Sequence, residues 1–283
     1  MRIFSDSLRT CKTLVLLSLL FFTQTALSEV PVGGYTFGIG PQQSASELAK
    51  RWTPIIQYLS EKSGIPLQFN TAKDIPTFQQ KMNEGVYDIA YVNPFHYLSF
   101  HRSTNGYTAF AKEKEGKLVG VLVVKKDAGI NSVQQLNEKI VAFPAANALA
   151  ATWLPMRMFM EKNVTITPQY VKSMDSVYRS VAKGLFPAGG GEMRTLSTID
   201  ADVQDQLKIL WTSESLPPFP FAAHSRIPKL SIVKLLKAME QMDRDPQGTL
   251  LLKAINFKGF EYASDADFDD MRTLNIKPIV EAK

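Results

Sequence analysis

The sequence predicts an α/β protein of two αβ lobes joined by a two-strand hinge, with an N-terminal leader that sends it out of the cytoplasm. Three observations carry this. Strand-like and helix-like segments alternate across residues 35–92 and again across 118–212. Strands near 118–126 and 213–224 flank the second unit, as two crossings between lobes would. The N-terminus is basic, then apolar, then small, the layout of a secretory signal.

Arg2, Arg9 and Lys12 make the basic start, residues 14–22 carry no charge, and Ala26 and Ser28 precede a cut before Glu29. The apolar run falls short of the roughly 20 residues that a permanent span needs. The single cysteine, Cys11, precedes that run, so it leaves with the leader and offers no lipid attachment. The mature chain then has no disulfide and is held by its own core.

Tyr35–Ile39 reads as a strand ending at Gly40-Pro41. Residues 44–63 read as a helix: Ser44 and Glu47 have capping-box spacing, and Leu48, Trp52, Ile55, Ile56 and Leu59 recur on one face. A strand at 67–71, a helix at 74–84 capped by Asp74, and a strand at 88–92 complete a β-α-β-α-β unit. The second unit reads as a strand at 118–124, a short helix at 132–137, a strand at 139–143, a helix at 146–162, a strand at 165–171, a helix at 173–183, a short strand at 188–191, a helix from Glu192 and a strand at 208–212. A strand at 221–224 and a helical tail follow. The expected boundaries are a leader at 1–28, a first lobe at 29–122 and 217–283, and a second lobe at 123–216.

Ligands of open αβ sheets sit beyond the carboxyl ends of the strands, beside helix N-termini. Here those ends are 40–44, 92–97, 143–148, 173–175 and 189–192, and facing lobes would bring them to one cleft. Net charge is +5, about +3 without the leader, and no dense basic block appears, which argues against nucleic acid. Three histidines without a mature cysteine or an acidic box argue against a metal, and no cofactor motif is complete.

Phe37-Gly-Ile-Gly-Pro-Gln-Gln-Ser44, Trp52-x-Pro54, Tyr58-Leu-Ser60, Gly85-Val-Tyr-Asp-Ile-Ala-Tyr91, Asn93-Pro94-x-x-Tyr97 and Gly120-Val-Leu-Val-Val-Lys-Lys-Asp127 together resemble the periplasmic phosphonate-binding proteins of ABC transporters. The resemblance covers most of the mature chain. It implies a type II periplasmic binding fold that closes on a small molecule in the periplasm and meets a membrane permease. The family's second lobe offers a Ser-Thr-Ser-Gly turn that holds phosphonate oxygens; this chain has Ala148-Leu-Ala-Ala151 in that place. A His-Asp pair of the family becomes Met174-Asp175, and a later aspartate becomes Pro187. Each lost charge-assisted hydrogen bond costs about 1.5–3 kcal/mol.

The candidate ligand-binding residues are Gln43 and Ser44 at a helix start, Asn93 and Tyr97 after the third strand, Asn147 and Trp153 around the altered turn, Asp175 at the place of the family's aspartate, and Glu192 and Arg194 after three glycines. For each, an ordinary structural role stands beside the functional one: capping for Ser44, core packing for Trp153, a strand-to-helix turn for Gly189–Glu192. No nucleophile-base set or paired catalytic carboxylates can be identified, so a binding protein is expected rather than an enzyme. The alternative is a ligand sensor that presents its bound form to a membrane histidine kinase or cyclic-dinucleotide enzyme.

Overall fold

The computed structural model describes residues 33–101 and 106–273. The expected leader and Cys11 lie outside them.

Among the described residues, eleven strands form two mixed sheets. In the first, β1 (Tyr35–Ile39) lies between β2 (Leu67–Asn70) and β3 (Ile89–Tyr91), all parallel. β4 (Tyr107–Glu113), β10 (Pro220–His224) and β11 (Phe260–Tyr262) extend it antiparallel, in the order β11-β4-β10-β3-β1-β2. In the second, β6 (Ile140–Phe143) lies between β7 (Thr167–Tyr170) and β8 (Gly189–Glu192), again parallel. β5 (Leu118–Lys125) and β9 (Leu207–Leu216) extend it antiparallel, in the order β7-β6-β8-β5-β9. Each lobe thus repeats one parallel three-strand motif, which sends its strand ends toward a shared cleft.

The helix expected from Ser44 runs Ala45–Ser63. Ser44 accepts a bond from the Glu47 N–H at 3.3 Å, and Gly64 closes it in the left-handed conformation at φ 68°. Its apolar face packs on the first sheet, where Trp52, Tyr91 and Phe221 cluster and the Tyr91 and Phe221 rings stack at 4.5 Å. Asp74 caps helix Ile75–Asn83 through the Thr77 N–H at 2.8 Å, and Ser173 caps helix Met174–Ala182 through the Ser176 N–H at 3.2 Å.

Three expectations change. β5 belongs wholly to the second sheet, so the chain leaves the first lobe through residues 114–117 and not at 122/123; it returns through 217–219. β4 and β11 were not expected as strands. The helix expected from Ala146 begins at Leu149, with a π-helical turn at Leu149–Trp153 ahead of helix Leu154–Glu161. That turn presses its backbone onto the second sheet: a Cβ at Gly120 would strike the Ala150 carbonyl, and one at Gly190 the Ala151 carbonyl. A π turn widens the helix locally and lets its carbonyls meet the sheet without an ordinary first turn.

Candidate functional site

Where the strand ends of both lobes meet, they line a small, half-open chamber of about 30 Å³, room for about two waters. Gly40, Pro41 and Gln42 follow β1, Val92 and Asn93 follow β3, and Ile75, Phe78, His96 and Phe219 close the first-lobe side. Ala148 and Leu149 of the π turn, Met174 and Glu192 form the second-lobe side. The wall is mainly apolar, with four polar side chains: Gln42, Asn93, His96 and Glu192.

Glu192 dominates the chemistry. It ends β8 and precedes helix Met193–Thr198, and it is 4% exposed. Among the described residues its carboxylate accepts one side-chain hydrogen bond, from Gln42 Nε2 at 3.5 Å, at the outer limit of a hydrogen bond. Burial pushes its pKa up from the ordinary 4.5 to about 7, with Arg194 pulling the other way. His96 is 5% exposed, and its Nε2 has no hydrogen-bond partner among the described residues. Burial drives its pKa down to about 4, the Asn147 backbone opposing, so its ring is neutral near pH 7. Asn93 Oδ1 accepts the His96 N–H at 2.9 Å and caps helix Pro94–His101. The hydroxyl turn of the resembled family has no counterpart. Ala148 precedes the π turn without a side-chain cap, and the nearby Thr152 hydroxyl donates to the Ala145 carbonyl at 2.8 Å. Any contact from 148–151 to a solute through hydrogen bonds is therefore made by backbone alone.

Of the nine candidates, Asn93 and Glu192 line this chamber. Gln43 lies just outside it and donates to Thr198 Oγ1 across the lobes at 3.3 Å. Asn147 stands at the cleft mouth with Asp74, Tyr170 and Lys172, and its Nδ2 donates to Gln79 of the first lobe. Trp153 packs against the first-lobe core, 5.9 Å from the Phe95 ring.

Four candidates are placed elsewhere. Ser44 is spent on capping. Tyr97 is fully buried in the first-lobe core, where its hydroxyl donates to Asp265 Oδ1 and accepts the Ala109 N–H, each at 3.1 Å. Asp175 pairs with Arg179 at 2.9 Å within its own helix, while the neighbouring Met174 faces the chamber. Arg194 turns from Glu192 to pair with Glu113 and lies 4.5 Å over the Phe257 ring. The three glycines also serve packing: a Cβ would meet Val177 at Gly189, Ala151 at Gly190 and Tyr178 at Gly191. His96, Gln42, Phe78, Met174 and Phe219 are among the chamber residues outside the candidate set. Gln42 and Met174 sit at strand ends and helix starts, a signal that would have included them; Phe78 and Phe219 carried none.

Residues 37–268 match the family model for the periplasmic substrate-binding protein of phosphonate ABC transporters. The phosphonates-binding periplasmic protein of Escherichia coli K12 is 21% identical over 252 residues, 84% of this chain and 75% of that one. The phosphate-import protein PhnD of Mycolicibacterium smegmatis is 23% identical over 266 residues, 86% of this chain and 80% of that one. PhnD1 of Prochlorococcus marinus, solved with methylphosphonate, superposes with a TM-score of 0.76 at 16% identity, covering 84% and 96% of the two chains.

Proposed function

The chain belongs to the family of periplasmic substrate-binding proteins of phosphonate ABC transporters, and on that footing we propose that it carries a small solute to a membrane permease, one that is not a bare oxyanion. The solute has an apolar body and at least one hydrogen-bond donor, an ammonium group above all, and that donor meets Glu192. The leader at 1–28 and release into the periplasm without a lipid anchor are part of the same reading.

One observation carries it: a buried carboxylate stands in the chamber opposite a turn stripped of hydroxyls. Above about pH 7, where Glu192 is ionised, an oxyanion 4 Å from it is repelled by about 4 kcal/mol at an effective dielectric of 20. The lost hydroxyls remove about 1.5–3 kcal/mol each. No cation among the described chamber residues repays either term, since His96 is neutral and Arg194 lies outside the chamber, paired with Glu113. An ammonium reverses the sign of the first term and leaves the apolar wall to bury the rest of the solute. The chamber, with room for about two waters here, widens to admit such a solute as the lobes part. Transport is favoured over sensing because the family is a transport family and no observation points to a kinase or cyclase.

Calorimetry with phosphate, phosphite and methylphosphonate, beside primary amines and zwitterions of matched size, tests the reading. Millimolar binding or none is expected for the three oxyanions, with the tighter ligands among the amines. A sub-micromolar constant for any of the oxyanions overturns it.

A further inference from the structure

Four of the polar contacts that tie the lobes together beside the chamber fall on one six-residue helix, Met193–Thr198, while Asn147 to Gln79 and the packing of Trp153 on Phe95 cross at the other side of the cleft. Arg194 pairs with Glu113 at the end of β4 and stacks over Phe257. Ser197 Oγ accepts Asn256 Nδ2 at 2.9 Å. Thr198 Oγ1 accepts Gln43 Nε2 at 3.3 Å, and the Thr198 carbonyl accepts Arg51 Nη2 at 2.5 Å. Arg51 also donates to the Ala254 carbonyl at 2.8 Å, which ties two first-lobe helices to the same point. The first-lobe partners come from three places: the start of helix Ala45–Ser63, the last residue of β4, and the segment after helix Pro246–Ala254. None of Gln43, Arg51, Glu113 and Asn256 lines the chamber.

The helix begins at Glu192, which does line it. One short rigid element therefore carries the chamber carboxylate at its start and the interlobe bonds along its length.

We propose that helix Met193–Thr198 is a closure latch, and that Gln43, Arg51, Glu113 and Asn256 set solute affinity through it as positioning residues that do not touch the solute. The effect on affinity rests on Glu192 being a solute contact; the effect on lobe separation does not. The bonds are few and partly exposed, so they bias an equilibrium between open and closed forms rather than fix it. Loss of one neutral hydrogen bond shifts such an equilibrium about fivefold.

Nitroxides at Lys73→Cys and Gln169→Cys, one exposed site per lobe near the cleft mouth, report lobe separation by double electron–electron resonance; Cys11 is replaced by serine. Ligand-free protein is compared with Thr198→Val and with the pair Glu113→Gln, Asn256→Gly. Glycine keeps the left-handed φ of 56° at residue 256. Each variant is expected to raise the population at the longer distance about fivefold or more, with circular dichroism unchanged. Should the pair unfold, Thr198→Val alone decides. Distance distributions that superpose on the parent overturn the latch. Glu192→Gln in the same labelled protein separates the two claims, since it alters solute binding and leaves the ligand-free distances in place.

Discussion

Replacing Glu192 with glutamine removes the charge from the chamber while keeping the shape. In the folded protein burial holds the Glu192 carboxyl at about 7, against 4.5 when exposed. A folded pKa above the unfolded one means that the folded state binds the proton more tightly. The associated stability is therefore complete below about pH 4.5 and is lost as pH rises through about 7. The gap is worth about 3 kcal/mol. Glu192→Gln has nothing to lose over that window. Relative to the parent, the variant should gain about 3 kcal/mol between pH 4 and pH 8, or about 6–12 °C in melting temperature for a chain of this size. Ligand-free thermal melts at the two pH values read this directly, and His96, present in both proteins, cancels in the difference. A melting difference that is the same at pH 4 and pH 8 would refute the claim that Glu192 is a desolvated carboxylate. The variant should also bind amine solutes less tightly, so that stability rises while binding falls. A buried charge retained against its own desolvation is the pattern of a binding site.

Two further outcomes follow from neighbouring groups. His96 has its folded pKa depressed to about 4 from 6.5, so its contribution to stability is present above about pH 6.5 and lost as pH falls through about 4. His96→Phe should flatten the melting temperature across that window, and an unchanged acid limb would contradict the burial argument. Tyr97→Phe leaves the Ala109 N–H without its acceptor and should cost about 1–3 kcal/mol in urea melts with solute affinity unchanged; weakened binding without loss of stability would return Tyr97 to the cleft.

The elements that were legible in the sequence have local causes. Ser44 and Asp74 cap helices, Gly64 and Gly85 end them with positive φ, and the apolar spacing of 48–59 fixes the buried face. β4 was not legible: Ala109, Ala111, Lys112 and Glu113 are helix formers, and the strand is imposed by pairing with β10 and β11. The alanine-rich segment at 146–153 read as an α-helix because nothing local discloses that Gly120 and Gly190 admit its carbonyls against the sheet. Strand ends located the cleft, and they brought Asn93 and Glu192 into it. They could not tell which side of each end faces inward, which separates Met174 from Asp175. Nor could they reveal that Arg194 has a partner in Glu113, far away in sequence. The glycines at 189–191 read equally well as a ligand approach or as tight packing, and Val177, Ala151 and Tyr178 decide for packing.

The central claim is that the chamber selects a donor-bearing solute over a bare oxyanion. Its most direct test is mass spectrometry of the solute released by denaturing protein purified from the periplasm under native conditions. The account predicts a small molecule with a basic nitrogen or another strong hydrogen-bond donor on an apolar body, present in the parent and depleted in Glu192→Gln. Stoichiometric phosphate, phosphite or a simple alkylphosphonate, retained equally by both proteins, would contradict it.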